Sequence, residues 1–478
     1  MRHGWLIAAL AAVACRGEAP RAKAVAVTDS PGSLAALHVE SASAATRSDS
    51  IDSRRRTLLT EAVAKVSPAV VTVQTEVVQN APVDPFDAFF GGAGGGQRVL
   101  QGLGTGFIVR SDGVIVTNAH VINDAKTISV ALRDGTPYRA RLVGKDETND
   151  IAVLKIDAKN LPVAELGNSD SLLIGEWAIA IGNPYGFYLG NSEPSVTTGV
   201  ISGTGRNLAA PNEGSATYVD MIQTDAAINH GNSGGPLVDA VGEVIGMNSS
   251  IYSPSGGSVG LGFAIPINRV KRVMEDLLLH GVVRQPWLGI KLALPEANSP
   301  LGALRFGVNV RAVVPGSPGD AAGIRSGDTL LKAGNRVLHN PFDWEAEKLD
   351  LRVGERVQLT VKRGERQFPV SVTVASLPDE SAPKVQVLKE LELVTVTPAI
   401  RAERGIRSSH GALIYQVSSR VSDDLGIAKG DVIVQINQVP IENAQDVQKA
   451  LNALAGRSVI HMYFERGGQI YSTDFMVR

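Results

Sequence analysis

The feature that most constrains the fold of this chain is an internal repeat in its C-terminal half. The run GIRSGDTLLKAGNRVL begins at Gly323 and matches GIAKGDVIVQINQVPI, which begins at Gly426, at an offset of 103 residues (426 minus 323). A fixed offset of this kind is typical of two copies of one small domain. The chain has 478 residues, whereas a single hydrophobic core stops growing at roughly 250–300 residues. We therefore expect two similar small domains behind at least one other domain.

The stretch from Thr60 to Pro266 is rich in short β-branched runs separated by glycine, asparagine and aspartate. The runs include TGFIV, GVIVTN, TISVAL, IAVLKI, WAIAIG and SVTTGVIS. Many short apolar runs with turn residues between them are typical of an all-β barrel or sandwich. Beyond Pro266, apolar residues fall at helical spacing as far as Gly281, a residue type that commonly ends a helix. The sequence therefore predicts a β-rich domain, one helix, and then the two repeats.

Charge and cysteine content exclude several classes of protein. The chain has 46 Lys and Arg against 48 Asp and Glu, with a formal net charge of -2. We expect no nucleic-acid partner, because such proteins usually carry a basic excess. One cysteine excludes an internal disulfide framework and a zinc site built on several cysteines. The sequence contains no metal-ligand cluster and no phosphate-binding loop, so we expect no metal and no cofactor.

The N-terminus indicates export. Arg2 precedes an apolar run from Trp5 to Ala14, which is shorter than the roughly 20 residues that span a bilayer and resembles a signal peptide. The small residues before Cys15 fit a cleavage site, and they also resemble the bacterial lipoprotein box, in which the cysteine is lipidated. We expect a protein of the periplasm or cell envelope, either anchored to the membrane through Cys15 or simply secreted. The residues that follow, to about Arg56, are typical of a flexible tether.

The run DAAINHGNSGGPLVD, residues 225–239, contains the strongest candidate site. Gly231 and Gly234 flank Ser233 and permit backbone angles that are closed to other residues. Such a turn can expose a serine nucleophile, while the N–H groups of Gly231 and Ser233, with Asn232 between them, hold a developing oxyanion. From these residues alone, a glycine-rich hairpin with an exposed serine is an equally good interpretation.

A serine nucleophile needs a base, and the base needs a group that orients it. Of the eight histidines, only His120 and His230 lie in the β-rich domain. His230 is three residues before Ser233, so it could reach the hydroxyl only with unusual geometry. His120 ends an apolar strand in VIVTNAHVI, and Asp150 precedes another in TNDIAVLKI, where a carboxylate could fix the imidazole tautomer. Taken singly, each is also compatible with an ordinary strand end or turn.

The order His120, Asp150, Ser233 resembles that of the chymotrypsin-like serine proteases. The blocks GLGTGFIV, TNAHV, DIAVLKI, AIGNPYG, IQTDAAINHGNSGGPL and GFAIP resemble the trypsin-like domain of the HtrA (Deg) family of bacterial envelope proteases, DegP/DegQ-like members included. The two repeats resemble its PDZ modules. The resemblance implies a mostly β fold, a chymotrypsin-like double β-barrel protease domain followed by two PDZ domains. It also implies a serine endopeptidase that acts through an acyl-enzyme, with Ser233 as nucleophile, His120 as base and Asp150 as the group that stabilises the imidazolium.

On this resemblance the chain divides into a signal peptide and five further segments. They are the signal peptide, 1–14; a tether, 15–58; a trypsin-like serine protease domain, 59–266; a linker helix, 267–282; and PDZ domains at 283–378 and 385–478.

The primary specificity pocket is assigned by family analogy. Ile228 lines it together with Leu261, Gly262 and Phe263, from the segment SVGLGFA. These residues are apolar and none is acidic. The analogy therefore predicts cleavage after small or medium aliphatic residues rather than after Lys or Arg.

In the first repeat, PWLGIKL resembles the carboxylate-binding loop of PDZ domains. Consecutive N–H groups of such a loop hold a peptide C-terminus while the peptide adds a strand to the sheet. Leu288, Gly289 and Ile290 form the loop here, with a plain β turn as the alternative. In the second repeat, LELVTVTPAIRAERG is a poorer match, so its role stays open between ligand binding and assembly.

Two positions depart from the family's pattern. His230 stands where many members have Arg or Pro, and the run DPFDAFFGGAGGGQ, residues 84–97, is short for the family's regulatory loop, which leaves large cage assemblies in doubt. The resemblance also implies a homotrimer, or a multiple of trimers, assembled through residues 58–71. Its expected partners are unfolded polypeptides and protein C-termini, in the degradation of damaged proteins under stress. A chaperone or a PDZ-based binding scaffold with little proteolytic activity is the alternative.

Overall fold

The computed structural model describes residues 55–80, 97–123, 125–183, 193–208, 218–229, 231–251, 258–293, 307–454, 456 and 459–476. Cys15, the leader and the tether as far as residue 54 lie outside these ranges, as do His230 and residues 84–96. Residues 56–478 form one compact unit. None of the helices in the described ranges is long and apolar enough to cross a membrane.

A closed barrel forms the first half of the β-rich domain. Helix α1 (Leu58–Val66) precedes it and begins with a capping box in which Thr57 and Thr60 satisfy each other's backbone N–H groups. The strand order is β1-β2-β3-β6-β5-β4. The strands are β1 (Val70–Asn80), β2 (Gln97–Arg110), β3 (Val114–Thr117), β4 (Thr127–Ala131), β5 (Pro137–Asp146) and β6 (Ile151–Lys155). Short 3₁₀ helices lie at Ser67–Ala69, at His120–Ile122 and, beyond the barrel, at Ser169–Ser171.

A second closed barrel follows, with the order β10-β11-β12-β9-β8-β7. Its strands are β7 (Trp177–Gly182), β8 (Ser195–Arg206), β9 (Met221–Thr224), β10 (Pro236–Val238), β11 (Val244–Ile251) and β12 (Gly262–Pro266). Along β7, alternate residues enter different apolar clusters, Ala178 and Ala180 one and Ile179 and Ile181 the other. This is the period of two that a strand buried on both faces requires.

Helix α2 (Ile267–His280) joins the barrels to the rest of the chain. It starts directly after Pro266 and ends at Gly281, whose φ of 75° is the left-handed conformation that favours glycine at a helix end. Val270 and Leu277 are fully buried on the face that packs against β5 and β6 of the first barrel and β11 and β12 of the second. The helix therefore packs against both barrels.

Each repeat forms its own small β domain with its own apolar core. The first contains β13 (Pro286–Trp287), β14 (Ile290–Leu292), β15 (Val308–Val313), α3 (Pro318–Ala321), β16 (Thr329–Ala333), β17 (Arg336–Val337), α4 (Pro341–Asp350), β18 (Arg356–Arg363), β19 (Arg366–Thr373) and β20 (Ala375–Ser376). After α5 (Pro378–Ser381), the second contains β21 (Lys384–Val387), β22 (Leu391–Thr395), α6 (Pro398–Arg404), β23 (Ala412–Val417), α7 (Ser419–Leu425), β24 (Val432–Ile436), β25 (Val439–Pro440), α8 (Ala444–Leu454), β26 (Ile460–Arg466) and β27 (Gln469–Phe475).

The offset of 103 residues also relates an arginine–aspartate pair in the first small domain to an equivalent pair in the second. Arg363 donates to the buried carboxylate of Asp328 at 2.6 and 2.8 Å and to the Gly323 carbonyl at 2.7 Å. The guanidinium of Arg466 bonds the carboxylate of Asp431 and the Gly426 carbonyl in the same way. Two barrels followed by two copies of one small domain confirm the predicted fold class.

Candidate active site

His120 and Asp150 meet at one end of the first barrel. The carboxylate of Asp150 lies 2.8 and 3.0 Å from Nδ1 of His120 and also accepts the His120 backbone N–H at 3.0 Å. The Asp150 side chain is 4% exposed, whereas that of His120 is 44% exposed. Because the carboxylate occupies Nδ1, the outer nitrogen Nε2 is left for a reaction partner.

Asp150 is held in an unusual backbone conformation. Its φ is 55°, a left-handed value that aspartate tolerates better than most residues. The buried side-chain amide of Asn118 donates to the Asp150 carbonyl at 2.9 Å, and Ser249 donates from Oγ to the carboxylate at 2.9 Å. The carboxylate thus sits in a set of donors that fix its direction.

The turn that carries Ser233 is fastened to the first barrel by Thr105. Gly231 and Gly234 have φ values of 95° and 83°, which explains the glycines. The Thr105 hydroxyl donates to the Gly231 carbonyl at 2.6 Å, and the Thr105 N–H donates to the Ser233 carbonyl at 2.9 Å. A Cβ on Gly234 would lie 2.2 Å from the Thr105 carbonyl oxygen. The two barrels are therefore in direct contact at this turn.

Ser233 and Asp150 are linked through Ser249. Ser233 Oγ donates to the Ser249 carbonyl at 3.0 Å, and the Ser249 hydroxyl donates to Asp150. A cavity of about 470 Å³ opens beside His120, Ser233 and Ser249, and Tyr218 also lines it. Two of the predicted triad residues, His120 and Ser233, therefore line one cavity, and the buried Asp150 lies behind His120 in contact with its Nδ1. Ser249 and Tyr218 are additions that the sequence interpretation missed.

The predicted oxyanion residues lie in a turn whose carbonyl groups and N–H groups differ in their hydrogen bonding. Among the described residues, none bonds the N–H of Gly231 or of Ser233, although both carbonyls are bonded to Thr105. Asn232 is buried, with its N–H donating to the Asn229 carbonyl at 3.0 Å, and it packs against Gly182. The turn is therefore anchored to Thr105 through its carbonyl groups, and the N–H groups of Gly231 and Ser233 have no partner among the described residues.

The predicted pocket residues divide between two environments. Ile228 lines the cavity. Gly262 lies so close to Ile228 that a Cβ on Gly262 would be 2.9 Å from Ile228 Cδ1. Leu261 is partly exposed. Phe263 packs in the apolar cluster of Met247 and Ile265, whereas its neighbour Ala264 shares the cluster of Ile228. Strand alternation thus turns Phe263 away from Ile228.

The predicted carboxylate loop of the first small domain is a tight turn. Gly289 has a φ of 71°, and a Cβ there would lie 2.1 Å from Ser317 Cβ. The carbonyls of Leu288 and Gly289 accept hydrogen bonds from Gly319 and Val314. Among the described residues the N–H groups of Leu288 and Gly289 have no backbone acceptor. Strand β14 follows the loop and pairs only with β15 within the described part of the chain.

The second small domain differs at the corresponding edge. Its strand β22 pairs with β23 on one side and with β21 on the other. Strand β21 also packs against helix α8, since Val387 is buried in one cluster with Val447 and Leu451 and the Gln448 side chain donates to the Gln386 carbonyl at 3.1 Å. A peptide that added a strand to this sheet beside α8 would need the place that residues 384–387 already hold.

A charged cluster joins the second barrel to the first small domain. Arg336 of β17 donates to both carboxylate oxygens of Asp220 at 2.9 and 3.0 Å and reaches Glu347 and Asp350 at 3.3 Å. The buried Arg269 of α2 donates to the Val219 carbonyl at 2.8 Å and lies 3.4 Å from Asp220. Apolar contacts of Val219 with Ala346 and Leu349 of α4 extend the interface.

No group of three or more His, Cys, Asp or Glu side chains with metal-site geometry occurs among the residues that the structure describes.

Comparison with known proteins agrees with this geometry. The family model of the trypsin-like peptidase domain matches residues 104–247, and two PDZ domain models match residues 286–374 and 393–464. The fold and these matches define a serine endoprotease with two appended PDZ domains.

Individual relatives define the family of the chain more closely. It is 37% identical over 392 residues to a probable periplasmic serine endoprotease DegP-like of Pseudomonas savastanoi pv. phaseolicola, a match that covers 79% of each chain. It is 36% identical to the protein of the same name from Marinomonas sp., over 84% of this chain and 89% of that one. The HtrA-type protease AlgW, solved with a decapeptide, is 37% identical with a TM-score of 0.51 and covers 68% of this chain and 99% of its own. The chain belongs to the DegP-like, HtrA-type serine endoproteases, and the periplasm or cell envelope is its location.

Proposed function

We propose that the chain hydrolyses peptide bonds with Ser233, His120 and Asp150 as its catalytic residues. The observation that carries this assignment is the continuous set of contacts from His120 through Asp150 and Ser249 to Ser233 around one cavity. Ser233 Oγ turns from the Ser249 carbonyl to Nε2 of His120 and attacks the substrate carbonyl as His120 takes its proton. His120 then protonates the leaving amine, and water repeats the sequence to release the acyl group.

The N–H groups of Gly231 and Ser233 stabilise the oxyanion of each tetrahedral intermediate. One such donor is typically worth about 3 kcal/mol. Because Thr105 bonds both carbonyls of the turn, the direction of these donors depends on the contact between the barrels. Asn232 shapes the turn between them from its buried position.

The pocket accepts small or medium aliphatic side chains. Ile228 lines the cavity, Gly262 lies directly against Ile228, and Ala264 shares its apolar cluster, so this part of the wall is apolar. Leu261 lies at the partly exposed rim and Phe263 supports the strand from behind. A peptide panel that is cleaved after Lys or Arg would contradict this specificity.

Substrates are unfolded or damaged polypeptides, recognised partly through their C-termini. The first PDZ domain takes the C-terminus at Leu288, Gly289 and Ile290, with added-strand pairing along β14. AlgW, solved with a decapeptide and with a tripeptide, is a relative that binds peptides. In the second PDZ domain the corresponding edge carries β21, which favours a structural role.

Assembly and anchoring form the remaining part of the proposal. A homotrimer would form through residues 58–71, where Leu58 presents an apolar side chain that is 63% exposed. Light scattering that gave a monomer would contradict it. Cys15 would carry a lipid anchor after removal of residues 1–14, which mass spectrometry of the mature N-terminus tests.

The decisive experiment compares the wild-type chain with Ser233→Ala on an unfolded polypeptide and on a fluorogenic peptide with an aliphatic residue before the scissile bond. We expect cleavage by the wild type alone. Equal cleavage by both, or none by either in the presence of C-terminal activator peptides, would overturn the proposal. Ser171→Ala, in the 3₁₀ helix Ser169–Ser171, is the matched control for loss of an exposed hydroxyl.

A further inference from the structure

The hydroxyl of Thr105, in β2, makes two hydrogen bonds that join the barrels. It accepts the N–H of Asn183, the residue that follows β7, at 2.8 Å, and it donates to the Gly231 carbonyl at 2.6 Å. Thr105 is fully buried and Asn183 is 3% exposed, so bulk water does not compete for either bond. A hydroxyl has one proton to donate, and that of Thr105 is therefore committed to Gly231.

The bond to Gly231 fixes the peptide group that lies between the two proposed oxyanion donors. This group joins Gly231 to Asn232. Its carbonyl is bound by Thr105, and its N–H donates to the Asn229 carbonyl at 3.0 Å. The neighbouring peptide groups carry the N–H of Gly231 on one side and the N–H of Ser233 on the other. Because peptide groups are planar, fixing the middle one leaves only the dihedral angles of Gly231 and Asn232 to direct both donors.

Gly231 gives this turn conformational freedom. Its φ is 95°, and a glycine adopts positive and negative φ about equally readily. The backbone of Gly231 alone therefore does not select the direction of its N–H, whereas the bond from the Thr105 hydroxyl does. The backbone N–H of Thr105 makes a separate bond to the Ser233 carbonyl at 2.9 Å. Loss of the hydroxyl would thus leave the turn attached to the first barrel and release only the middle peptide group.

We propose that Thr105 is a positioning residue for peptide hydrolysis, whose hydroxyl orients the Gly231 N–H by holding the adjacent peptide group. The inference rests on the proposed roles of Ser233 and of the two oxyanion donors. Such donors stabilise the charge that develops in the transition state rather than the bound substrate. Loss of the hydroxyl should therefore slow the chemical step and leave substrate binding unchanged.

Thr105→Val tests the proposal because it removes the hydroxyl and keeps a β-branched side chain. We expect kcat for the fluorogenic peptide to fall about 10- to 100-fold, between the worth of one hydrogen bond and that of a whole oxyanion donor, with KM unchanged. A peptide aldehyde, whose oxygen occupies the oxyanion site after addition of Ser233 Oγ, should bind more weakly by the same factor. Titration with diisopropyl fluorophosphate counts folded sites, so partial unfolding does not enter kcat.

Two variants serve as controls. Thr105→Ser keeps the hydroxyl and should keep kcat within about 3-fold of wild type. Thr72→Val is the matched control for loss of a buried hydroxyl between the barrels. Thr72 is fully buried in β1, and its hydroxyl donates to the Asn183 carbonyl at 3.0 Å without a bond to the turn. Its removal should leave kcat per titrated site unchanged.

Several results would contradict the proposal. An equal loss of kcat in Thr105→Ser would assign the effect to packing of the methyl group, and an equal loss in Thr72→Val would assign it to general loosening of the barrels. A fall in kcat with unchanged aldehyde affinity would remove the link to the oxyanion.

Thr105→Cys is a milder second variant in case Thr105→Val does not fold. Its thiol is a weak donor, so kcat and aldehyde affinity should fall by one common, smaller factor. Wild-type values in both variants would overturn the role of Thr105 alone. A wild-type chain that neither cuts nor reacts with diisopropyl fluorophosphate would overturn the proposed function together with it.

Discussion

Arg336 is the residue whose removal should most loosen the contact between the first PDZ domain and the protease domain. Its guanidinium bonds both oxygens of Asp220 and reaches Glu347 and Asp350. Arg336→Met keeps most of the aliphatic stem and deletes the charge. The carboxylates of Asp220, Glu347 and Asp350 then lie close together without Arg336. Arg269 still pairs with two of them, Asp220 and Asp350.

The size of the effect follows from how far these groups are withdrawn from water. The side chains of Arg336, Asp220 and Glu347 are 26%, 18% and 14% exposed, and that of Asp350 is 41% exposed. Breaking a fully buried pair costs about 3–5 kcal/mol, and an exposed pair contributes about 0–1 kcal/mol. At intermediate exposure we expect a loss of about 2–3 kcal/mol in the free energy of docking.

Amide hydrogen exchange measures this loss locally, which suits a chain of several domains. A cost of about 2–3 kcal/mol corresponds to roughly 30- to 160-fold faster exchange in helix α4 and at Val219, after correction for intrinsic rates. Arg356→Met is the matched control, since Arg356 is exposed in the same domain and has no ion pair among the described residues. Unchanged exchange in α4 would refute the view that this cluster holds the domains together.

The pH dependence gives a second check on the same reasoning. Burial raises the pKa of Glu347 and of Asp350, and the charge of Arg336 lowers both. A carboxyl whose pKa is raised in the docked state binds its proton more tightly there, so docking gains as the pH falls. Without Arg336 both pKa values rise further. The difference between variant and wild type should therefore be largest near pH 7.5 and shrink towards about pH 5.

Three further predictions concern other parts of the chain. Gly234→Ala would place a Cβ 2.2 Å from the Thr105 carbonyl oxygen at a φ of +83°; active-site titration and peptide kinetics should show kcat at least about 100-fold lower, the worth of one oxyanion donor. Arg363→Met should destabilise the first PDZ domain by about 2–4 kcal/mol in calorimetry; because the bond to Arg363 lowers the pKa of Asp328, the difference should be fully present at neutral pH and should shrink progressively as the pH falls below about 4. A fluorescent peptide with a free C-terminus should bind with one site per chain and lose binding in Gly289→Val; two sites would contradict the filled edge of the second domain.

The elements that could be predicted from the sequence are those specified by local chemistry. The repeat at 103 residues needs no structure, and Gly231 and Gly234 indicate the sharp turn because only glycine adopts their φ values without strain. The period of two along a strand also predicts which residues of Gly262–Ala264 share a face. Gly262 and Ala264 lie on one face, so Phe263 had to lie on the other, away from Ile228.

The residues that sequence reasoning missed depend on long-range packing. Ser249 lies in a strand that resembles any other, and its importance comes from closeness to Asp150, a residue 99 positions earlier in the chain. The left-handed φ of Asp150 is likewise set by its surroundings, since the Asn118 amide and the Ser249 hydroxyl hold it. The pairing of β21 with β22 replaces an open edge by a hairpin, and Leu388 and Lys389 adopt positive φ values there without any glycine to signal the turn.

The strand β21 has a consequence for competition by free ligands. Because residues 384–387 are joined to β22 by a short turn, they act at a local concentration on the order of millimolar or more. A free C-terminus present at micromolar concentration would have to overcome a factor of roughly a thousand before it displaced them. The two PDZ domains should therefore differ in responsiveness: the first follows the supply of free C-termini in the envelope, and the second stays closed across the same range.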